Sequence, residues 1–374
     1  MPQPTPRRFN AEALPDMTPE MLAVAPLARA ETIPSRWYTD PRVLDFEQAT
    51  MLRQTWHYVG HASQLPGPGH FLRADVAGEP LVVVRGKDEK VRAFYNVCRH
   101  RGGPLATEDR GCARMLQCQY HGWTYTLDGM LRGVPRFDCT ELFDKRDYGL
   151  VPVEVAAWDG LLFVRLEAGG PSLDALLDGI AERIAPLHLG GLRFHGRVAY
   201  DVACNWKVYV DNYLEGYHLP LVHPDLCKTL DVRAYVTETF AYHSLQHSPL
   251  RDGDGNPYGD GEAFYYFAFP NTMLNILPGR LQVNSVLPTG PASCRVLFDY
   301  VYADLDTPAA QQRIAEDLAF SDAVQQEDID VCEHVQRGLA SAGYDRGRFS
   351  VECERGVYHF QTLLKAAYAA ALGV

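Results

Sequence analysis

The sequence predicts an α+β protein in which a small all-β domain precedes an antiparallel sheet with helices around it. Residues 80–84 form an apolar run typical of a buried strand, and the charged turn at 86–90 returns the chain as a second strand. Residues 263–303 contain several strand-forming runs separated by breaks at 270–271, 278–279 and 288–290, each of which begins with Pro, and this pattern indicates antiparallel strands. Two helices, at about 308–340 and 356–372, close the chain. A sheet with helices segregated around it defines the α+β class.

These patterns divide the 374 residues into three segments. Residues 1–44 are Pro-rich and are expected to form an arm that packs on the C-terminal domain. Residues 45–165 are expected to form the all-β domain, and residues 166–374 the α+β domain. At about 150 residues per domain, the length is sufficient for two or three domains with substantial cores.

The composition argues against two classes of partner. The net charge is −12, and nucleic-acid binding requires clustered Lys and Arg, so we expect no nucleic-acid partner. No stretch approaches the apolar length of a membrane span, so we expect no membrane segment. The nine cysteines are an odd number in a chain without an export signal, which predicts a cytoplasmic protein without a disulfide framework. The cysteines are therefore expected to bind metal or to be buried.

Two mixed pairs of cysteine and histidine predict a first metal site. Cys98 and His100 form one pair, and Cys118 and His121 form the other, with the seventeen residues 101–117 between them. A structural zinc site is the alternative, but zinc fingers favour a cysteine pair followed by a histidine pair. Two thiolates and two imidazoles in mixed pairs fit a [2Fe-2S] cluster in which the cysteines hold one iron and the histidines the other.

A helix is expected from about 206 to 219, where Pro220 stops it. On this helix Asp211, Glu215 and His218 follow one another at spacings of four and three residues. Side chains at these spacings lie on one face of a helix. The sequence therefore predicts a polar helix face that ends in a histidine.

A second metal site is predicted around His218 and His223. The break at the helix end allows the chain to bring His223 back beside His218. Two histidines and one carboxylate form the facial triad of non-haem iron(II) oxygenases. The helix at about 308–340 offers Glu327 and Asp328, and Asp328 lies on its apolar stripe. A carboxylate there is costly unless it binds a cation, which favours Asp328 as the third ligand.

The sequence resembles a known family along most of its length, from about Trp37 to the C-terminus. Residues 98–129, CRHRGGPLATEDRGCARMLQCQYHGWTYTLDG, resemble the Rieske domain of ring-hydroxylating oxygenase α-subunits. Residues 205–224, NWKVYVDNYLEGYHLPLVHP, and residues 269–275, FPNTMLN, are most similar to the choline and glycine betaine monooxygenase branch. The resemblance implies a Rieske [2Fe-2S] domain, then a catalytic domain with a helix-grip-type antiparallel sheet that carries one mononuclear Fe(II).

The resemblance also implies how electrons reach the catalytic iron. In the family an acidic residue three before the first histidine ligand, here Glu215, bridges to a cluster histidine of the neighbouring subunit in a homotrimer. Most members have Asp there, and Glu resembles the branch that acts on choline, betaines and carnitine. Asp211 either supports the same hydrogen-bond network or is a solvated helix residue. The chain lacks a GxGxxG fingerprint, so NAD(P)H electrons are expected to arrive through a flavin-dependent reductase, with or without a ferredoxin.

The substrate pocket is the least constrained part of the prediction. The candidate lining residues are aromatic and amide side chains of the ligand helix and the later strands, namely Tyr209, Tyr217, Tyr266, Phe269 and Asn275. An aromatic box can hold a quaternary ammonium group by cation–π attraction, and core packing is the alternative role for these rings.

The expected reaction is monooxygenation of a C–H bond next to a quaternary or tertiary amine in a small molecule, as oxidation or N-demethylation. Aromatic ring hydroxylation, with dioxygenation, is the first alternative. A Rieske electron carrier without oxygenase activity is the second.

Overall fold

The computed structural model describes Leu14 and residues 17–231, 234–251 and 261–374. Within these residues the chain divides into two compact units. Leu52–Gly170 form the first unit, and Pro171–Val374 form the second together with the described residues before Leu52. The sequence prediction began the all-β domain at 45, whereas the structure groups 45–51 with the second unit.

The first unit is built from antiparallel strands. Its strands are β1 His57–His61, β2 His70–Val76, β3 Glu79–Arg85, β4 Val91–Tyr95, β5 Arg110–Cys112, β6 Leu116–Gln117, β7 Thr124–Tyr125, β8 Leu131–Gly133, β9 Pro152–Trp158 and β10 Leu161–Arg165. Seven of them form a sheet in the order β1-β10-β9-β4-β3-β2-β5, and β6-β7-β8 form a second, three-stranded sheet.

The predicted apolar run lies at the centre of this unit. Residues 81–84 of β3 are buried, and Val83 pairs with Ala93 of β4 across the predicted hairpin. Val82 and Val84 contact the core cluster that also contains Trp123 and Tyr125. The hydrophobic sheet therefore supports the short strands that flank the cysteine and histidine pairs.

The second unit combines helices with one antiparallel sheet. Its helices are α1 Pro19–Leu22, α2 Arg36–Thr39, α3 Pro41–Ala49, then α5 Leu173–Leu176, α6 Ile180–Ile184, α7 Trp206–Tyr213, α8 Leu219–Val222, α9 Leu226–Thr229, α10 Pro308–Leu339 and α11 Arg355–Leu372, while α4 Met51–Gln54 lies at the boundary between the units. Its strands are β11 Arg193–Val202, β12 Val236–Thr239, β13 His243–Pro249, β14 Glu262–Ala268, β15 Thr272–Leu277, β16 Arg280–Gly290 and β17 Ser293–Tyr302.

The strands of the second unit follow the order β11-β17-β16-β15-β14-β13-β12. Every neighbouring pair is antiparallel, and β13 to β17 are joined as consecutive hairpins. The turns after β14 and β15 fall at the predicted Pro breaks. The third predicted break, 288–290, belongs to the irregular end of β16, and the chain turns at 291–292 instead. The predicted α+β class is confirmed, and no described helix is long and apolar enough to cross a membrane.

A buried ion pair joins three helices of the second unit. The Lys207 Nζ of α7 lies 2.7 Å from the Glu47 Oε1 of α3, and both side chains have no exposed surface. Glu47 also accepts hydrogen bonds from the Trp206 indole, at 2.8 Å, and from the Tyr368 hydroxyl of α11. Burial lowers the pKa of Lys207, while the nearby Glu47 raises it. The pair therefore fixes α7, which leads into the predicted second metal site, against its neighbours.

We expect Lys207→Met to destabilise the fold by about 3–5 kcal/mol, because it leaves the Glu47 carboxylate buried without its cation. Denaturant unfolding followed by circular dichroism measures the change. The matched control is Arg295→Met, which breaks the exposed pair with Asp201 and is expected to cost about 0–1 kcal/mol. Equal losses in the two variants would contradict this role for the buried pair.

Candidate metal centres and the adjoining cavity

The two cysteine and histidine pairs lie in loops of the same construction. The Gly102 N–H donates to the Cys98 carbonyl, and the Gly122 N–H donates to the Cys118 carbonyl, each at 3.0 Å. Gly102 and Gly122 have φ of 74° and 73°, a left-handed conformation that favours glycine. A Cβ on Gly103 would lie 2.9 Å from the Cys118 Sγ, so the first loop approaches the second thiol closely.

The four side chains form a thiol pair and an imidazole pair. Cys98 and Cys118 are 3% and 2% exposed, whereas His121 is exposed and His100 is half-buried. The His100 and His121 rings meet edge to face with centroids 4.7 Å apart, and His100 stacks on Trp123 at 4.8 Å. Burial raises the pKa of the Cys118 thiol, so a thiolate at this position requires a bound cation. This donor set fits a [2Fe-2S] cluster held by cysteines on its buried side and histidines on its outer side.

Tyr125 contacts the buried side of this site. Its hydroxyl lies 3.3 Å from the Cys98 Sγ and accepts a hydrogen bond from the Arg99 N–H at 2.9 Å. Because that N–H occupies the oxygen as acceptor, the hydroxyl proton is available to the sulfur. A hydrogen bond to a ligand sulfur withdraws electron density and raises the reduction potential of a cluster.

The predicted ligands of the second metal site also lie close together. His218, His223 and Asp328 each offer one ligand atom, and these atoms lie within 4.8 Å of one another. The Asp328 Oδ1 is 3.0 Å from the His223 Nε2 and 3.8 Å from the His218 Nε2. Two imidazole nitrogens and one carboxylate oxygen facing a common point fit a mononuclear iron with open positions.

Carboxylates hold the opposite nitrogens of both histidines. The His218 Nδ1 lies 2.6 Å from the Glu215 Oε1, and the His223 Nδ1 lies 2.7 Å from the Glu327 Oε2. Such partners fix the orientation and tautomer of a metal-binding histidine. Glu327 therefore contacts the outer side of His223, and its neighbour Asp328 lies with the two histidines at the centre. The Asn212 amide donates to the Asp328 Oδ1 at 2.6 Å, and the sequence analysis did not identify Asn212 as a site residue.

The predicted continuous helix from 206 to 219 is wrong. α7 ends at Tyr213, and residues 214–218 form a bend before α8 begins. The Glu215 carboxylate accepts hydrogen bonds from the Tyr217 and His218 N–H groups, which replaces the helical pattern there. Pro220 lies in the first turn of α8, where proline is favoured, and does not end α7. Glu215 and His218 are thus joined by a local bend and not by a shared helix face.

Asp211 lies apart from this bend. It accepts hydrogen bonds from the Tyr38 hydroxyl at 2.6 Å and from the Gln361 amide at 3.3 Å. Burial raises its pKa to about 7, although those hydrogen bonds and Lys207 act in the opposite direction. Asp211 is therefore buried and not solvated, and within the described residues its hydrogen bonds go to Tyr38 and Gln361 and not to Glu215. It belongs to the packing between α7, α2 and α11.

A cavity of about 140 Å³ adjoins the second centre in the second unit. Two of the five predicted lining residues, Tyr209 and Asn275, line it. Tyr217 is 61% exposed, and Tyr266 and Phe269 are buried, and the structure does not place these three residues in the lining of this cavity. Successive side chains of a strand point to opposite faces, so Tyr266 of β14 points away from the face on which Tyr265 lines the cavity. Phe269 lies beyond the end of β14 and packs toward Phe360.

Asn275 belongs to a row of cavity residues across the sheet, and the sequence analysis did not identify the other members of this row. Gln246, Tyr265, Asn275 and Gln282 are successive partners on β13, β14, β15 and β16, and all four line the cavity. The helices and their connections add the further aromatic residues Tyr213, Tyr235 and Phe320, while β17 adds Phe298. Spacing within one strand does not identify Tyr265, Gln246 and Gln282, because their alignment with Asn275 is set by the register between strands.

Two family models match the chain in agreement with these sites. The Rieske [2Fe-2S] domain matches residues 55–148, and the ring hydroxylating alpha subunit (catalytic domain) matches residues 189–370. Together they define an oxygenase that joins a Rieske domain to a catalytic domain.

Similar proteins cover nearly the whole chain. Chloroplastic choline monooxygenase of Arabidopsis thaliana is 35% identical over 377 residues, which cover 96% of this chain and 88% of that protein. The carnitine monooxygenase oxygenase subunit of Acinetobacter baumannii is 31% identical over 351 residues, which cover 90% and 94%. The solved quaternary ammonium Rieske monooxygenase CntA in complex with L-carnitine is 30% identical, with a TM-score of 0.82 over 92% of this chain and 99% of that chain.

The chain belongs to the ring-hydroxylating oxygenase α-subunit family of Rieske-type oxygenases. It is therefore an oxidoreductase that incorporates oxygen from O2. Its cofactors are one [2Fe-2S] cluster and one mononuclear iron, and in this family NAD(P)H supplies electrons indirectly through a reductase.

Tyr125→Phe is expected to lower the reduction potential of the cluster by about 20–65 mV, since it removes a hydrogen bond worth about 0.5–1.5 kcal/mol to the Cys98 sulfur. Spectroelectrochemical titration measures the shift. Tyr148→Phe is the control, because Tyr148 packs against Trp123 at 6.0 Å. A potential unchanged by Tyr125→Phe would show that the hydroxyl does not act on the cluster.

Glu327→Gln is expected to weaken binding of the mononuclear iron about tenfold to hundredfold, because the His223 imidazole loses its charged partner. Anaerobic titration with Fe(II) measures this affinity, and the visible absorption of the cluster serves as an internal reference. Asp330→Asn changes an exposed carboxylate on the same helix and should leave the affinity unchanged. Equal iron affinity in the two variants would remove Glu327 from the site.

Proposed function

We propose that this protein is the terminal oxygenase of a Rieske system that hydroxylates a C–H bond next to a quaternary or tertiary amine nitrogen. The choline and carnitine monooxygenases that it resembles support this substrate class. The observation that carries the proposal is a tyrosine-lined cavity directly beside the convergent His218, His223 and Asp328. Aldehyde formation or N-demethylation would follow from hydroxylation at such a carbon.

The aromatic walls of the cavity suit a cation without N–H groups. The carboxylates of Glu215 and Asp328 line its metal-side end, where they would balance the charge of Fe(II), and the Arg280 guanidinium in the lining is paired with Asp317. Tyr209, Tyr213 and Tyr265 supply ring faces or edges around the same space. A desolvated ammonium ion near an aromatic face gains about 2 kcal/mol from cation–π attraction. A trimethylammonium group presents only methyl groups to these walls, so it leaves none of its own hydrogen bonds unmade.

Each residue of the second centre has a distinct part in this proposal. His218, His223 and Asp328 would hold the iron, which supplies the activation of dioxygen when bound. Glu215 and Glu327 accept from the histidine Nδ1 groups and keep the Nε2 lone pairs directed at the centre. Five residues thus fix the donor geometry before substrate enters.

Residues of the first unit would hold the cluster that passes electrons to the mononuclear iron. Cys98, His100, Cys118 and His121 would hold the cluster, and the exposed His121 gives an outer edge for electron transfer. By analogy with the family, Glu215 would pass the electron from the cluster of a neighbouring subunit of a homotrimer. The trimer, the ferredoxin or flavin-dependent reductase and the cytoplasmic location stay predictions.

The two alternatives find less support. Aromatic ring hydroxylation also requires a flat apolar slot, whereas amide side chains such as Gln246, Asn275 and Gln282 form one wall of the cavity. A simple electron carrier would not need His218, His223 and Asp328 to converge. Metal analysis separates the carrier from the oxygenase, at two irons per chain for the carrier and three for the oxygenase.

The direct test is a single turnover of the chemically reduced protein with oxygen and one candidate substrate at a time. The panel contains choline, glycine betaine, carnitine, stachydrine, benzoate and phenylpropionate. An aldehyde or a demethylated product from a quaternary amine is the expected outcome. Hydroxylated product from the aromatic acids alone would overturn the substrate class and retain the iron chemistry.

Glu215→Gln is expected to leave both iron sites filled when Fe(II) is in excess, because the glutamine carbonyl can still accept from the His218 Nδ1–H, although the lost charge weakens iron affinity as it does in Glu327→Gln. The same change removes the charge and should block reoxidation of the cluster by substrate and oxygen. Stopped-flow absorption of the cluster during a single turnover measures this step. Glu352→Gln, at an exposed position, is the control. A normal reoxidation rate in Glu215→Gln would exclude Glu215 from the electron pathway.

A further inference from the structure

One buried amide in the cavity wall has a donor without a partner. Gln325 of α10 is 1% exposed and lines the cavity. Its Oε1 accepts a hydrogen bond from the Tyr209 hydroxyl at 2.6 Å. Its Nε2 is buried and has no hydrogen-bond partner within the described part of the chain. The contact with Tyr209 fixes the amide and leaves its two N–H bonds without an acceptor.

An unpaired buried donor is costly. Leaving such a group unsatisfied costs about 1–3 kcal/mol, and most buried polar groups in proteins therefore have partners. Gln282 of the same cavity follows that rule, since its amide nitrogen donates to Asn284 and its oxygen accepts from the Arg280 guanidinium. Gln325 differs from Gln282 in that only its oxygen has a hydrogen-bond partner within the described part of the chain.

The position of Gln325 relates this donor to the metal centre. Gln325 precedes Asp328 by three residues on α10, so both side chains lie on one face of the helix. Both line the same cavity. A molecule that places a carbon near Asp328 can therefore reach Gln325 with another part of itself.

We infer that Gln325 is a specificity-determining residue that donates a hydrogen bond to an oxygen of the substrate. This inference rests on the proposed function and narrows its substrate class. A quaternary nitrogen has no lone pair, so it cannot accept this hydrogen bond, and the acceptor is a hydroxyl or carboxylate oxygen elsewhere in the molecule. The ligand is then a small quaternary ammonium compound with an oxygen substituent, in which the tyrosines hold the methyl groups and Gln325 holds the oxygen.

The test compares ligands of nearly the same shape on the protein with both iron sites filled. Choline and propyltrimethylammonium differ by the replacement of a hydroxyl with a methyl group. Glycine betaine carries a carboxylate and separates the two kinds of acceptor. Isothermal titration calorimetry without oxygen measures each dissociation constant independently of turnover. We expect wild type to bind choline, glycine betaine or both about tenfold more tightly than propyltrimethylammonium.

Gln325→Met keeps the length of the side chain and removes the donor, together with the oxygen that accepts from the Tyr209 hydroxyl. It should reduce the preference over propyltrimethylammonium to about twofold or less, because the discrimination comes from that single hydrogen bond. Val324→Ala is the control, since Val324 also lines the cavity and offers no polar group. That variant should change the affinities of all three ligands by a similar factor. Iron content and thermal stability show whether each variant retains its sites.

The outcomes separate this inference from the function on which it rests. Wild type that binds all three ligands equally would overturn the role of Gln325, and the oxygenation of quaternary amines would stand. The same conclusion follows if Gln325→Met keeps the full preference. A wild type that binds none of the three ligands would overturn the proposed substrate class, and the inference with it. The wild-type comparison needs no variant, so equal binding of the three ligands overturns the inference even if Gln325→Met fails to fold.

Discussion

The second centre depends on two carboxylates that bind the Nδ1 atoms of its two histidines, on the side of each ring that faces away from the metal position. Without a partner for Nδ1, an imidazole can rotate or change tautomer and lose its alignment with a metal. Glu215 fixes His218 from within the same bend. Glu327 fixes His223 from helix α10, 104 residues later in the sequence. Because Asp328 follows Glu327, one turn of α10 supplies both a ligand and a support.

Contacts of α7 with residues distant in sequence hold the second centre in position. The buried Lys207–Glu47 pair holds α7 from the side away from the cavity, and Asp211 binds Tyr38 and Gln361 there. On the cavity side, Tyr209 contacts Gln325, and Asn212 contacts Asp328. α7 therefore links the fixed interior of the second unit to the ligand and substrate residues, and a change in its packing would displace both.

The local motifs were sufficient to predict the chemistry, but they did not predict the shape of the cavity. The mixed pairs around Cys98 and Cys118, and the choice of Asp328 over Glu327, follow from residue type, spacing and the cost of a buried carboxylate. The helix expected from 206 to 219 failed because the Glu215 side chain competes for the N–H groups of the bend. The sequence offered Tyr266 as a lining residue and the structure has Tyr265 in the lining of the cavity, because face and register depend on pairing with other strands, which spacing within one segment does not define.

Electron paramagnetic resonance of the nitric oxide complex of the mononuclear iron, recorded with and without choline or glycine betaine, tests both the iron ligands and the substrate class. If His218, His223 and Asp328 hold iron beside a cavity for quaternary amines, the complex should give an iron–nitrosyl signal that changes when either ligand is added. The Asp328→Ala variant should lose this signal and keep that of the reduced cluster. A signal that persists in Asp328→Ala, or that neither ligand alters in wild type, would contradict the account.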